Sequence, residues 1–364
     1  MDKKVKDYHE LNLLIRGSVF IGSAFILAFT IVFYFLEFEI FYEKSIYQSI
    51  LIRTILFFIT VILVLIFLHK INIFLSNKIN LKYLSRFDYH EELGSYNESR
   101  SRFKIFPKNT FYPVLLLHGF SGSPQDFSTL IRHLEENQIT YYAPLLSGFG
   151  LDNTVSLSKT SRHDWKRDAL NAFDLLSSIS GKVNIIGYSM GAVLADFIGT
   201  KRNNIKSMII ASPAFYTSEF YDTHKKILLN NYSYFLFNLF IPYLPKALDK
   251  KKGYMGDIVD SDLAAKNFQY LTAPISSIKE LFLMQDEHNL YGLINVQDLT
   301  IFYSDNDKLI NINTLKENLS KMSIPFITKA FYVTGHNLYF DLESEDVAKD
   351  TITILLKTSR SNLT

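Results

Sequence analysis

The chain of 364 residues contains no cysteine. That absence removes disulfides, thiolate-bound zinc, iron–sulfur clusters and thiol nucleophiles together, and it leaves the redox compartment open. Charge of one sign is also lacking. The net charge is +2, so no global basic field points to nucleic acid as a partner. No phosphate-cradling glycine loop, dinucleotide fingerprint or metal-ligand spacing occurs, and no cofactor or metal is expected. Tryptophan occurs once, against 31 Phe and 22 Tyr. There is no internal repeat and no low-complexity tract. What the chain does have is apolar material. Residues AVILMFWYC make up 48% and charged residues 20%, enough for a sizeable core and too apolar for a disordered chain. The length predicts two units, or one large α/β domain with attachments.

Part of the apolar material is arranged for lipid. Residues 17–36 carry no charge, and a second run, 50–68, carries only Arg53 near its start. At about 1.5 Å per residue each run covers the ~30 Å of a bilayer's hydrocarbon. The spacing predicts a transmembrane hairpin. A cleaved secretory signal is the alternative for the first run, but the run is long for one and no A-x-A site follows it. A buried soluble helical hairpin is the other. Lys3, Lys4, Lys6 and Arg16 precede the first run, and Lys70, Lys78, Lys82 and Arg86 follow the second. The loop between them holds Glu37, Glu39 and Glu43 beside Lys44. Both ends are therefore expected on the cytoplasmic side, with the catalytic domain there too. Residues 1–69 form the predicted membrane anchor. Residues 70–108 read as a linker leading into the domain, with its first strands near Phe103, and 109–364 as the soluble domain.

From Tyr112 the pattern alternates. Val114–Leu117, Ile139–Pro144, Val183–Ile186, Met208–Ala211, Thr300–Tyr303 and Phe331–Val333 read as short buried strands. Ser128–Glu136, Trp165–Leu176 and Ala192–Ile198 carry helical spacing. Alternating strands and helices predict a mainly parallel sheet with helices on both faces. Residues 215–296 interrupt the alternation and read as a mostly helical lid insertion. Within it, Tyr232–Leu244 is rich in aromatic and apolar residues and is followed by Lys246, Lys250, Lys251 and Lys252. That combination suits the surface of an anionic leaflet, although an ordinary packed lid helix fits it as well.

The chemistry centres on Gly187-Tyr188-Ser189-Met190-Gly191. This is G-x-S-x-G between a strand-like and a helix-like run, the setting in which a serine is held on a tight turn above the sheet edge. A plain tight turn is the bland alternative. A serine nucleophile needs a base, and the base needs a group to orient it. Of nine histidines, His336, in Thr334-Gly335-His336-Asn337 after the last predicted strand, is best placed. His118 lies at a strand end, and His133 and His163 read as solvated helix residues. The loop Tyr303–Lys308 offers two carboxylates, Asp305 and Asp307, which spacing alone does not separate.

These residues together resemble the α/β-hydrolase family, in particular its carboxylesterase and monoacylglycerol-lipase-like branch, over about Tyr112–Leu356. The block HGFSGSPQDFSTLIRHLEENQITYYAPLLSGFG from His118 is similar to the branch's oxyanion loop, first helix and second strand. Where the branch usually has a histidine between two glycines, this chain has Phe149. His163-Asp164-Trp165 with Asp168 resembles the helix before the elbow. Asp307-Lys308-Leu309-Ile310-Asn311 resembles the acid-bearing segment, and Gly335-His336 with Asp341 resembles the histidine loop. The resemblance implies the α/β-hydrolase fold and a Ser189–Asp307–His336 triad with Asp305 in reserve. It also implies an oxyanion hole from the backbone N–H groups of Phe120 and Met190. The expected activity is hydrolysis of carboxylic esters, those of lipids or acylglycerols first. Acyl transfer on the same triad and a non-catalytic membrane scaffold are the alternatives. The expected partners are the lipid bilayer and an ester substrate. Oligomeric state and source are not legible.

Overall fold

The computed structural model describes residues 46–360, apart from 109–110, 247, 250–253, 256–257, 289–292, 294–295 and 323; side chains are also left aside at 46–50, 248–249, 254–255 and 358–360. The expected span 17–36 and the lysines at 250–252 lie outside the described residues.

Helix α1 (Ile46–Leu84) comes first and is 39 residues long. It contains the expected span 50–68 and continues to Leu84, into the first part of the segment read as a linker. Among the described residues it is the one helix long and apolar enough to cross a membrane. Seven strands then build the main sheet. They are β1 (Arg102–Lys104), β2 (Val114–Leu117), β3 (Tyr141–Ala143), β4 (Val183–Tyr188), β5 (Ile205–Ala211), β8 (Asp298–Ser304) and β9 (Phe326–Phe331). A separate antiparallel ribbon in the insertion pairs β6 (Tyr243–Pro245) with β7 (Thr272–Pro274). The main sheet runs β9-β8-β5-β4-β2-β3-β1, parallel throughout except for the antiparallel β1 at one edge.

The central strands read clearly because both of their faces are covered, so neither face needs polar residues. Leu115, Leu117, Ile185, Met208 and Ile210 pack under α3 (Arg162–Ser180) and α4 (Met190–Lys201), against Trp165, Phe173, Leu194 and Ile198. Val114, Leu116, Ile186, Ile209 and Ala211 face the other way. They pack with α2 (Ser128–Glu136) and α8 (Ser344–Arg360) through Leu130, Leu134, Val347 and Leu355. Ser161 and Asp164 cap α3 reciprocally, which sets its first turn.

The last strand differs from its expected place. The apolar residues 331–333 point to a strand, yet β9 occupies Phe326–Phe331 and ends there. Beyond it the backbone N–H groups of Tyr332, Val333 and Thr334 donate to the Glu343 carboxylate. That carboxylate takes the donors a continuing strand would have given its neighbour. As an edge strand with a mostly exposed middle, β9 also lacks the apolar run that marks the central strands.

The insertion holds α5 (Glu219–Leu229), α6 (Asn231–Phe240), a short helix at Ser261–Lys266 and α7 (Ile275–Asp286), besides the β6–β7 ribbon. The second half of α1 docks on this ribbon. Asn72 accepts from Tyr243 N at 2.9 Å and donates to Tyr243 O at 3.4 Å. Asn80 accepts from Leu271 N and Thr272 N, and donates to Thr272 Oγ1 at 2.8 Å. Two asparagines thus pair with backbone that would otherwise be orphaned in a buried place. Tyr83 and Leu84 enter the main core itself.

Candidate active site

Ser189 sits where β4 ends and α4 begins, with φ 54° and ψ −114°. A positive φ is costly for a residue with a side chain and persists only when its surroundings enforce it. Here Ser189 N donates to Ala211 O at 2.9 Å, and Ser189 O accepts from Ala192 N at 3.0 Å. The flanking glycines are required by space. A Cβ on Gly187 would lie 2.3 Å from Gly191 O, and one on Gly191 would lie 1.8 Å from Leu117 O. A larger residue at Gly191 would push the turn away from β2, and one at Gly187 would push β4 away from the start of α4.

The sheet then delivers the partners to the same carboxyl edge, the customary place for a site in an open parallel sheet. His336 Nε2 lies 2.8 Å from Ser189 Oγ, and His336 Nδ1 lies 2.6 Å from Asp307 Oδ2. A carboxylate oxygen only accepts, so Nδ1 carries the proton and Nε2 is free to accept from the serine hydroxyl. The side chain of Asp307 is 0% exposed. Its other oxygen accepts from Leu309 N at 2.8 Å and Ile310 N at 3.2 Å, which fixes the carboxylate's rotation. Asp305 is 42% exposed and pairs with Lys316. Geometry therefore separates the two aspartates that spacing left open: Asp307 faces the histidine and Asp305 faces solvent. Ser304 Oγ donates to Thr334 O at 2.6 Å and ties the acid loop to the histidine loop.

The expected oxyanion donors flank the serine. Met190 opens α4, so its N–H belongs to the first turn, where no intrahelical carbonyl is available. Phe120 follows His118-Gly119 at the exit of β2. A Cβ on Gly119 would meet the Tyr188 ring at 2.7 Å and Ser189 Cβ at 3.3 Å, so this loop lies against the serine. Phe149 stands where a histidine was expected from the resemblance. It stacks on Trp165 with ring centroids 5.7 Å apart, and it meets Phe120 and His118 edge-on. The position thus braces the oxyanion loop by packing. His118 is buried, and burial pushes its imidazole down to about 4. Its Nε2 accepts from Leu146 N at 3.1 Å, so Nδ1 donates to Gly119 O. It holds the loop as a neutral group.

Two further carboxylates, Asp126 and Asp341, are buried beside the histidine loop. Asp126 accepts from Asn267 and Asn337, each at 3.0 Å. Asp341 accepts from Gly335 N at 2.7 Å and from Val259 N at 2.8 Å. The sequence singled out Asp341 only as part of a motif and did not single out Asp126, Asn267 or Asn337. A polar residue immediately after the histidine was the available signal.

A serine hydroxyl bonded to a histidine–carboxylate pair is equipped for acyl transfer from an ester or amide. Comparison with known proteins agrees. The profile of the family described as serine aminopeptidase, S33 matches residues 110–332. A carboxylesterase of Bacillus subtilis is 33% identical over 87 residues, covering 24% of this chain and 35% of that protein. Lipase 1 of Psychrobacter immobilis is 23% identical over 227 residues, covering 58% of this chain and 67% of that one. The chain thus spans about a third of the first relative's length and two thirds of the second's. Among solved structures, the monoacylglycerol lipase of Paleococcus ferrophilus superposes with a TM-score of 0.56 at 15% identity, covering 71% of this chain and 98% of that one. At that identity the likeness establishes the fold. The chain belongs to the serine aminopeptidase S33 family and carries its α/β-hydrolase fold.

Proposed function

We propose that this protein is a membrane-tethered serine hydrolase that cleaves carboxylic esters, with lipid esters such as acylglycerols as its substrate class. The observation that carries the reading is the uninterrupted chain Ser189 Oγ–His336–Asp307, with bonds of 2.8 and 2.6 Å at a strained turn. Ser189 Oγ attacks the ester carbonyl while His336 Nε2 takes its proton. Asp307 holds Nδ1–H and stabilises the charged imidazole. The N–H groups of Phe120 and Met190 receive the developing oxyanion, each contributing roughly 3 kcal/mol by analogy with measured donor deletions. His336 then gives its proton to the leaving alcohol. Water activated by the same nitrogen cleaves the acyl-enzyme and restores Ser189.

The lipid preference is supported by the lipase and carboxylesterase names of the sequence relatives and by α1. Along its first half Leu51, Ile55, Phe58, Ile62, Leu63, Ile66 and Phe67 are all exposed. Leaving these side chains in water forgoes on the order of 1 kcal/mol each, a cost that hydrocarbon removes. We place a second span at residues 17–36, with the catalytic domain on the cytoplasmic side, in accord with the Lys and Arg flanks. The anchor then comprises residues up to about 69, and the hydrolase unit takes in the second half of α1 and strand β1 besides 109–364.

Hydrolysis of p-nitrophenyl esters of graded chain length, in detergent and in bilayers, tests the activity and its substrate class. Turnover that rises with acyl length in bilayers is the expected result. No turnover of any ester by folded wild-type protein would overturn the reading. A cysteine at Ser45 should react with an impermeant thiol reagent from outside intact cells and one at Ser361 should not. The opposite pattern overturns the orientation.

A further inference from the structure

His336 is flanked in sequence by Gly335 and Asn337, and each neighbour is bonded to a buried carboxylate that also grips the lid. On one side Asp341 accepts from Gly335 N at 2.7 Å and Leu342 N at 2.9 Å within the histidine loop. The same carboxylate accepts from Val259 N at 2.8 Å and Asp260 N at 3.1 Å in the lid. On the other side Asp126 Oδ1 accepts from the Asn337 side chain and from Asn267 of the lid. All four residues Asp126, Asn267, Asn337 and Asp341 are at most 3% exposed. Asp126 lies just beyond the oxyanion loop, whose Ser121 O accepts from Tyr270 N of the lid at 3.1 Å. The lid side is itself braced, because Tyr83 of α1 donates to Asn267 O at 2.7 Å and Ala264 O at 3.0 Å.

We propose that Asp126 and Asp341 are positioning residues that couple the seating of the lid to the placement of His336. With the lid seated, each carboxylate has its lid donors and holds the loop on its own side of the histidine. With the lid lifted, each buried acceptor loses part of its donor set, and a carboxylate short of donors is costly in a dry place. Each would then turn toward water and release the loop it holds. The machinery is therefore complete only under a seated lid, and α1, through Tyr83, sets where that seat is. This inference rests on the reading of Ser189 and His336 as nucleophile and base.

The test uses the full-length protein in detergent. It measures the rate of fluorophosphonate labelling at Ser189, with kcat and KM for p-nitrophenyl acetate. Asn267→Ala removes a lid donor and touches no residue of the histidine loop. It should slow labelling and lower kcat roughly tenfold, within the range that small misplacements of reacting groups produce, with KM nearly unchanged. Asn337→Ala should do the same. The double variant should be little worse than either single, because both act through one carboxylate. Should Asn267→Ala fail to fold, Asn267→Asp keeps the shape and reverses the donor, and the same loss is expected. Labelling of either Asn267 variant at the wild-type rate overturns the coupling, as do effects that multiply in the double variant. Wild-type protein that is not labelled at all overturns the hydrolase reading as well, so the two failures are distinguishable.

Discussion

The two halves of α1 share a helix and a largely apolar composition, yet they bury opposite kinds of residue. From Leu51 to Phe67 the large apolar side chains stand outward, with Leu51 at 61% and Leu63 at 60% exposure. From His69 to Leu84 the polar positions Asn72, Ser76 and Asn80 are buried and spaced four apart, on one face. The first half is arranged for a surrounding that is itself apolar. The second half is arranged for protein, and its asparagines suit a β-ribbon edge because one amide side chain both donates and accepts there. The two halves meet near His69, whose Nδ1 lies 3.2 Å from the carbonyls of Asn238 and Leu239 at the end of α6. One helix thus has an exposed apolar first half and a second half whose end, at Tyr83 and Leu84, belongs to the core of the hydrolase domain.

The largest effects should separate chemistry from tether. Ser189→Ala or His336→Ala should each reduce ester turnover by roughly 10⁴–10⁶-fold, with the double variant no worse, while membrane association is unchanged. Asp307→Asn should be severe and Asp305→Asn mild, in keeping with their buried and exposed settings. Next come truncations on either side of the change in solvent. Removing residues 1–68 should abolish membrane association yet keep turnover of a short soluble ester within about threefold, since the docking bonds of Asn72, Asn80 and Tyr83 are kept. Removing 1–84 strips Asn72, Asn80 and Tyr83 from the insertion, and turnover should collapse. Equal loss in both truncations would erase the distinction between the halves.

Smaller changes sharpen it. Asn80→Ala leaves the N–H groups of Leu271 and Thr272 buried without their acceptor and should destabilise the protein by about 2–4 kcal/mol, read by denaturant unfolding. Ile62→Ala, on the exposed half, should leave that unfolding unchanged. Acid should act on the catalytic unit alone. The folded pKa of His118, at about 4, lies below the ordinary value of 6.5. Its neutral form therefore contributes stability that is full above pH ~6.5 and lost as pH falls toward 4, up to roughly 3 kcal/mol. His118→Gln should flatten this part of the stability–pH curve. The aromatic face of α6 gives the smallest expected effect. Phe235 and Phe237 are exposed beside α1. Replacing Phe235, Phe237 and Phe240 with Ser should lower turnover of long-chain esters in bilayers severalfold, with much less change on a short soluble ester. Equal loss on both substrates would make α6 a packed lid helix only.

What the sequence makes legible follows the same physics. Strands β2, β4, β5 and β8 are covered on both faces, so Val114–Leu117 and Val183–Ile186 stand out as apolar runs. Ser189 is legible because its glycines are demanded by backbone contact, and His336 because it closes a loop after a strand. The choice between Asp305 and Asp307 is not a matter of spacing but of which carboxylate turns inward, and that depends on the N–H groups of Leu309 and Ile310. The edge strand β9 hides because one of its sides needs no apolar residues. The end of α1 hides because Lys70 and Asn72 look like an exit from lipid, whereas a polar stripe at 72, 76 and 80 is also what a docked helix needs. The β6–β7 ribbon is too short and proline-bounded to show a period. Asp126 and Asp341 are hard to read because each also takes a partner more than 70 residues away.

The account stands most directly on covalent chemistry at one hydroxyl. Mixing the enzyme with a p-nitrophenyl ester, quenching within milliseconds in acid and mapping the mass shift by peptide mass spectrometry measures it. The predicted result is an acyl adduct on the peptide containing Ser189, absent from Ser189→Ala and longest-lived when deacylation is slowed. Product release with no adduct on that peptide, or an adduct on another residue, would contradict the account.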